Sequence, residues 1–285
     1  MGILETVNSV ARALVTHGKS VILGLAVTVS AAAFSVPVHA SDFWKGIQDR
    51  GTLRCAAAVA PPYVIKDLKT GEYGGAYLEL CKQFADVLKV KIEYVDTSWD
   101  NIIAGLQAGK WDISPALNRT PARAMVINYT IPSSYDQMNL AYLSTNEKLQ
   151  NAPADLSTID QSGIRIGVTS GQAGDRIVTE HFKQAQIVRL PDPNGLNLAL
   201  LSGRIDVVAN DATTNLLLQT ANKDKVVLLD PAPALMKQGI AFGLPPTVSP
   251  QEMDVFNIFL EEKIALGEVD RLMKHWAEIV LQAAK

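Results

Sequence analysis

One octapeptide pattern occurs twice in this chain. Leu106-Gln107-Ala108-Gly109-Lys110-Trp111-Asp112-Ile113 returns in kind as Leu200-Leu201-Ser202-Gly203-Arg204-Ile205-Asp206-Val207. Each copy reads as the end of a helix, a glycine that stops it, a basic residue, and a strand opened by apolar-Asp-apolar. Upstream, Gly51-Thr52-Leu53-Arg54-Cys55-Ala56 resembles Gly163-Ile164-Arg165-Ile166-Gly167-Val168, in the same order. A helix–strand junction that falls once in each half predicts two α/β lobes of like topology.

The first copy lies inside the stretch Thr97 to Thr130. Ser98 or Thr97 is expected to cap a helix whose apolar face is Ile102, Ile103 and Leu106, with Gly109 ending it. Trp111-Asp112-Ile113 is expected as a short strand running into a loop from Ala116 to Arg119. Thr120 then reads as an N-cap with Pro121 in the first helical position. Arg123 falls in the first turn, where the helix dipole disfavours a cation by up to about 1 kcal/mol. Two readings follow. Arg123 and free backbone N–H groups hold an anion, or Arg123 is exposed and paired with a nearby carboxylate.

Residues 1–40 read as an export signal. Arg12 and Lys19 precede an apolar run from Val21 to Phe34, and Val38-His39-Ala40 is a small-residue cleavage site. The run is short for a spanning helix, which needs about 20 residues. No cysteine follows the cleavage site to carry a lipid. Export predicts a periplasmic protein that starts at Ser41, retains 245 of the 285 residues and carries a formal charge of -4. No basic patch points to nucleic acid. Cys55 and Cys81 are the only cysteines; export places them in an oxidising compartment. Their spacing leaves a disulfide and two buried thiols both open.

Downstream, Met138 to Ser144 reads as a strand. Asn146 to Ser162, polar and holding Pro153, reads as a connector. Gln238 to Gly243 is a further strand. Ser249, Pro250 and Glu252 open a helix from Gln251 to Leu266, and a last helix runs from Val269 to Gln282. The chain has no CxxC, HExxH, GxSxG or phosphate-binding GxxxxGK[ST]. His181 and His275 are read as surface residues, so neither a metal site nor a cofactor is expected.

In open α/β sheets ligands sit beyond the carboxyl ends of the strands. Four such ends are readable: Ala57 to Tyr63, Ala116 to Arg123, Thr169 to Gly174, and Asn210-Asp211. Asp211 is either the N-cap of a helix from Ala212 to Thr220 or the one well-placed anion facing Arg123 across a cleft. Ser170 to Gly174 is either a plain turn or an anion-binding cup at a helix start. Trp99 is either core or a flat apolar wall of the site.

At these residues the chain resembles the bacterial periplasmic solute-binding proteins of the polar amino-acid importers, solute-binding family 3. The resemblance spans essentially the whole mature chain. It rests on the order of Gly75-Ala76-Tyr77-Leu78-Glu79-Leu80, Thr97-Ser98-Trp99-Asp100, Gly109-Lys110-Trp111-Asp112, Thr120-Pro121-Ala122-Arg123, Gly167 to Gly171, Ser202-Gly203-Arg204-Ile205-Asp206, Gly239-Ile240-Ala241 and Lys274-His275-Trp276. It implies an α/β fold of the type II periplasmic-binding-protein kind, with two lobes and two hinge crossings. Lobe one would hold 41–143 and 242–285, and lobe two 144–241. It also implies roles: Arg123 grips the ligand α-carboxylate with the helix start at Gln172 and Ala173, and Asp211 takes the α-ammonium. Trp99 packs on the ligand and Asn118 adds a polar contact. Ala116 and Tyr63 complete the expected site from their strand ends.

The chain departs from the family near Ala57 and Ala60, where an acidic and an aromatic residue are common, and at Asn118 and Ala173, where small hydroxyl residues are common. These departures argue against a basic amino acid as ligand. The function expected is a monomeric receptor that delivers an amino acid or similar zwitterion to an ABC permease in the inner membrane. The alternative is a cyclohexadienyl-dehydratase-like enzyme on the same fold. Such chemistry needs a proton donor, and Asp211 is the one acid readable at the cleft, so a binding protein and not an enzyme is expected.

Overall fold

The computed structural model describes residues 43–149 and 156–284. The leader expected over residues 1–40 lies outside the described residues, as do residues 150–155 of the expected connector.

The chain opens with α1 (Phe43–Arg50), which buries Trp44 and Ile47, and turns at Gly51 into β1 (Thr52–Ala57). β2 (Ile65–Lys66) and β3 (Tyr73–Gly74) form a small hairpin before α2 (Ala76–Leu88) and β4 (Lys91–Asp96). β1 and β4 pair in parallel with Leu53 opposite Ile92. α3 (Ile102–Gln107) starts later than expected: Asn101 is its N-cap, and Ser98 instead receives a hydrogen bond from the Asn101 amide at 2.9 Å. The next strand is β5 (Ser114–Asn118), so the expected strand and loop are shifted. Trp111 lies across Gly105, where any Cβ would run into its ring, and its indole donates to Ser114 at 2.8 Å. That packing delays the strand. α4 (Pro121–Ala124), β6 (Asn128–Tyr129) and β7 (Ser134–Leu143) follow.

The second half runs β8 (Arg165–Thr169), α5 (Ala173–His181), β9 (Gln186–Leu190), α6 (Pro193–Leu201), β10 (Val207–Asp211), α7 (Ala212–Ala221) and β11 (Val226–Leu229). β12 (Lys237–Leu244) leads to α8 (Pro250–Ala265) and α9 (Glu268–Ala283). α8 starts at the expected capping box of Ser249 and Glu252.

The fold is two-lobed α/β. One apolar core gathers residues from Trp44 to Ile127 with Ile240 to Leu272; two smaller ones gather residues from Met138 to Met236. A single sheet of order β5-β12-β7-β10-β8-β9 runs through both. β7 and β12 make the two crossings. They pair with each other over Ser134–Gln137 and Lys237–Ile240, and β7 then pairs with β10 and β11.

The repeat has a physical basis. Gly109 and Gly203 both stop their helices in the left-handed region, at φ 67° and 69°. Asp112 accepts from the Arg54 backbone N–H at 2.8 Å and pairs with the Arg50 and Arg54 guanidiniums. Asp206 accepts from the Arg165 backbone N–H at 2.9 Å and pairs with Arg165 and Lys148. Each aspartate thus ties its strand to the neighbouring parallel strand. Arg54 corresponds to Arg165, one place away from the end-to-end match of the two upstream hexapeptides. Cys55 and Cys81 form a disulfide between β1 and α2, with Cα atoms 6.7 Å apart.

Candidate functional site

β7 and its neighbour β10 bring two acidic groups to one place. β7 and β10 pair antiparallel with Met138 opposite Asp211, and side chains two apart on a strand share a face. Asp136 and Asp211 are therefore diagonal neighbours on that face, and Gln238 of β12 lies directly opposite Asp136. The Asp136 carboxylate accepts from the Tyr63 hydroxyl at 2.7 Å, the Gln137 N–H at 2.7 Å and the Thr213 N–H at 3.3 Å. The last is an otherwise partnerless donor in the first turn of α7. Asp211 occupies the N-cap position of α7 but makes no capping bond with its side chain. Its carboxylate accepts from the Asn118 amide at 3.3 Å instead. Burial and the charge of Asp136 push the Asp211 carboxyl up to about 7; the Asn118 hydrogen bond and the Arg123 charge act the other way.

Arg123 lies near enough to Asp211 for the two charges to act on each other. Thr120 caps α4 through its hydroxyl, which accepts from the Arg123 N–H at 3.2 Å, and Pro121 follows as expected. The dipole argument does not survive, because α4 is a single turn of four residues and Arg123 lies in its last turn as much as its first. What sets Arg123 apart is the desolvation of its half-buried guanidinium, which pulls its pKa below the ordinary value against the opposing effects of Tyr129 and Asp211. Its Nη2 donates to the Gly171 carbonyl at 2.9 Å, and its buried Nη1 has no partner among the described residues. Among the described residues it forms no ion pair, which goes against the exposed, paired reading.

Gly171 sits at φ 76° and packs so closely on Asp100 that a Cβ there would meet the Asp100 backbone and carboxylate at 2.7 Å. The Ser170 hydroxyl donates to the same carboxylate at 2.9 Å. α5 then starts from Gln172, whose side chain makes no cap bond. A cavity of about 470 Å³ opens here, lined by Arg123, Gly171, Gln172, Ala173, Arg176 and Arg189 among others. The volume suits a small-molecule ligand.

The structure thus gathers Arg123, Gln172 and Ala173 around one cavity, and sets Asn118 on Asp211. Tyr63 is buried with its hydroxyl on Asp136. Trp99 lies in the first core and donates its indole N–H to the Val59 carbonyl at 2.8 Å. Ala116 is buried in β5 at φ 57°, a left-handed conformation that is rare for a residue with a Cβ and concentrates at functional sites. Asp211 is not the one anion at the cleft. Asp136 escaped the sequence reading because it lies in the polar opening of β7, before the strand expected from Met138 and far from any motif; the period of two through Asp136, Met138 and Leu140 was its available signal. Tyr129, which donates to the Asn118 carbonyl at 3.1 Å, was missed likewise. Among the described residues no group of three or more His, Cys, Asp or Glu is placed to hold a metal ion.

The model of the bacterial extracellular solute-binding proteins, family 3, matches residues 53–279. An octopine-binding periplasmic protein of Rhizobium meliloti is 29% identical over 50% of this chain, and the match spans about half of that relative, 55%. A probable histidine-binding protein of Campylobacter jejuni is 25% identical over 79% of this chain and 85% of its own. Among solved structures, an ancestral amino acid-binding protein, a precursor of cyclohexadienyl dehydratase, superimposes with a TM-score of 0.73. It is 25% identical, covering 82% of this chain and 98% of that one.

Proposed function

This chain belongs to the bacterial extracellular solute-binding proteins of family 3, and from that premise we propose that it is the periplasmic receptor of an ABC importer for an amino acid. Lobe one, 41–143 with 242–285, and lobe two, 144–241, close on the ligand. The complex then delivers it to an inner-membrane permease. Residues 1–40 direct export and are removed, and the receptor acts as a monomer.

One observation carries this reading. A half-buried guanidinium whose Nη1 has no partner among the described residues and a half-buried carboxylate relieved of its capping duty are contributed by the two sides of one cleft. An α-carboxylate on Arg123 and the first N–H groups of α5, and an α-ammonium on Asp211, satisfy both. Asn118 and Gln172 line the ligand, with Ala173 and Ala116 leaving room for it; Trp99 and Tyr63 brace the walls. A thermal-shift screen of the exported form against amino acids and small organic acids tests the reading. A rise in Tm with at least one amino acid is expected, and none with any would overturn it.

A second reading has a specific observation behind it. The sequence shows one acid at the cleft, Asp211; Asp136 is a second, and beside it Asp211 is held near neutrality, as a proton donor requires. A solved relative is a precursor of cyclohexadienyl dehydratase. Conversion of prephenate or arogenate that disappears in Asp211→Asn would establish it. We expect no conversion above background, because the same acid serves the ammonium.

A further inference from the structure

Two turns meet tip to tip across the cleft. On one side Ser98 to Asn101 folds back: the Asn101 N–H donates to the Ser98 carbonyl at 3.0 Å, and the Asn101 amide to the Ser98 hydroxyl at 2.9 Å. Trp99 pins this turn to the first core, with its ring buried and its indole N–H on the Val59 carbonyl at 2.8 Å. On the other side Thr169 to Gln172 folds back, and the Gln172 N–H donates to the Thr169 carbonyl at 3.3 Å. The Ser170 N–H donates to the Leu190 carbonyl of β9 at 2.9 Å, which pins the second turn to its own lobe. Gly171 takes the third place of that turn at φ 76°, a conformation that glycine adopts without a steric penalty. Between the tips, the Ser170 hydroxyl donates to the Asp100 carboxylate at 2.9 Å, and the Gly171 carbonyl accepts from Arg123 at 2.9 Å. A Cβ on Gly171 would stand 2.7 Å from the Asp100 backbone N and carboxylate, so a bare backbone is what lets the tips come this close. Gly171 lines the cavity; Asp100 and Ser170 do not.

We propose that these two turns form a latch between the lobes, with Asp100 and Ser170 as positioning residues that raise affinity without touching the bound molecule. The inference rests on the reading of the chain as a receptor whose lobes close. A side chain that joins one lobe to the other acts on the balance between open and closed forms, and affinity follows that balance. The two guanidinium nitrogens of Arg123 divide the work: Nη2 belongs to the latch through Gly171, and Nη1 is left for a carboxylate. The bond from Ser170 to Asp100 has an ionised acceptor and is stronger than one between neutral groups. Asp100 is exposed, so water competes for it and the gain is modest.

The competing role is local, each side chain serving only its own turn. Calorimetric titration of the exported form with an equimolar mixture of the proteinogenic L-amino acids separates the two. Asp100→Ala and Ser170→Ala should each weaken the apparent affinity by about three- to tenfold. The Tm of each ligand-free variant should stay within about 2 °C of the wild type. The double variant should bind no worse than the weaker single, because both substitutions cut the same bond. Asp100→Asn, whose amide oxygen still accepts from Ser170, should fall between the wild type and Asp100→Ala. Single variants that bind within about twofold of the wild type would overturn the inference, as would losses that multiply in the double variant. A lowered Tm with unchanged affinity would assign both residues to their turns and overturn it too. A second measurement stands apart from these variants. Asp100→Cys combined with Ser170→Cys should cross-link faster under mild oxidation with the mixture present than without it, and equal rates would sink the latch. If the mixture produces neither heat nor a rise in Tm with the wild-type protein, the receptor reading goes and the latch with it. If the wild type binds and the variants match it, the latch alone goes.

Discussion

Asp211 stands at the head of α7 and caps nothing, because Asp136 reaches across from the crossing strand to take the Thr213 N–H. That exchange turns an ordinary helix start into a carboxylate available to a ligand. Asp211→Ala and Arg123→Ala should each weaken binding of the best amino-acid ligand at least a hundredfold, since each leaves a ligand charge buried and unpaired at a cost of about 3–5 kcal/mol. Arg123→Lys should bind poorly too, because an ammonium cannot present the two-pronged fork a carboxylate accepts. Calorimetry checks all three, with the Tm of each ligand-free variant as a folding control. The raised Asp211 carboxyl also makes a pH prediction. Between the 3.8 of an exposed aspartate and about 7, the native protein holds a proton that the unfolded chain has released. Stability therefore falls as pH climbs through that window. Scanning calorimetry of the ligand-free protein from pH 5 to pH 8 should show this decline, and Asp211→Asn should flatten it. Asp206 does not interfere. Burial opposes its ionisation, but the bonds from Arg165 and Lys148 prevail and hold it at about 2, so its contribution is lost only in more acid solution.

At the scale of elements, local chemistry was legible and distant pairing was not. The Ser249 capping box and the Gly109 and Gly203 stops act within a few residues, and the helices they bound stand where these signals placed them; the Asp112 and Asp206 junctions form as well, with their strands starting two or three residues later. The strand after Trp111 was misplaced because the ring folds back onto Gly105, an approach no periodicity announces. The helix before it was started too early because Ser98, a good capping residue, is used to hold the Asn101 side chain. Arg123 and the start of α5 were readable from their turn chemistry. Asp136 depends on the register of β7 against β10 and β12, a pairing between segments far apart in sequence. The disulfide was open for the same reason: β1 and α2 had to be packed before Cys55 and Cys81 could be seen to meet. It closes a loop of 26 residues. Replacing both cysteines by alanine should lower unfolding free energy by about 3 kcal/mol, read by denaturant titration. The unreduced protein, dissolved in denaturant, should show no free thiol to a colorimetric reagent.

At the scale of the molecule, the two sides of the cleft touch through Arg123 and Gly171, Ser170 and Asp100, Asn118 and Asp211, and Thr214 and Pro61. In the receptor proposed above these contacts belong to the closed form and are parted in the open one. X-ray scattering should then give a smaller radius of gyration at ligand saturation than without ligand; an unchanged radius would count against a receptor that closes. β7 and β12 lie side by side where they cross, paired over Ser134–Gln137 and Lys237–Ile240. Two strands joined this way resist sliding, because a slip of one residue would break the ladder and turn every side chain to the opposite face. Twisting and bending preserve each bond. Such a pair works as a leaf spring with one soft direction, favouring a swing of the two halves about a single line over a sideways drift. In the receptor proposed above, a membrane partner that touched both halves would meet one angle rather than a spread of placements, and that angle would tell it whether the cargo is aboard.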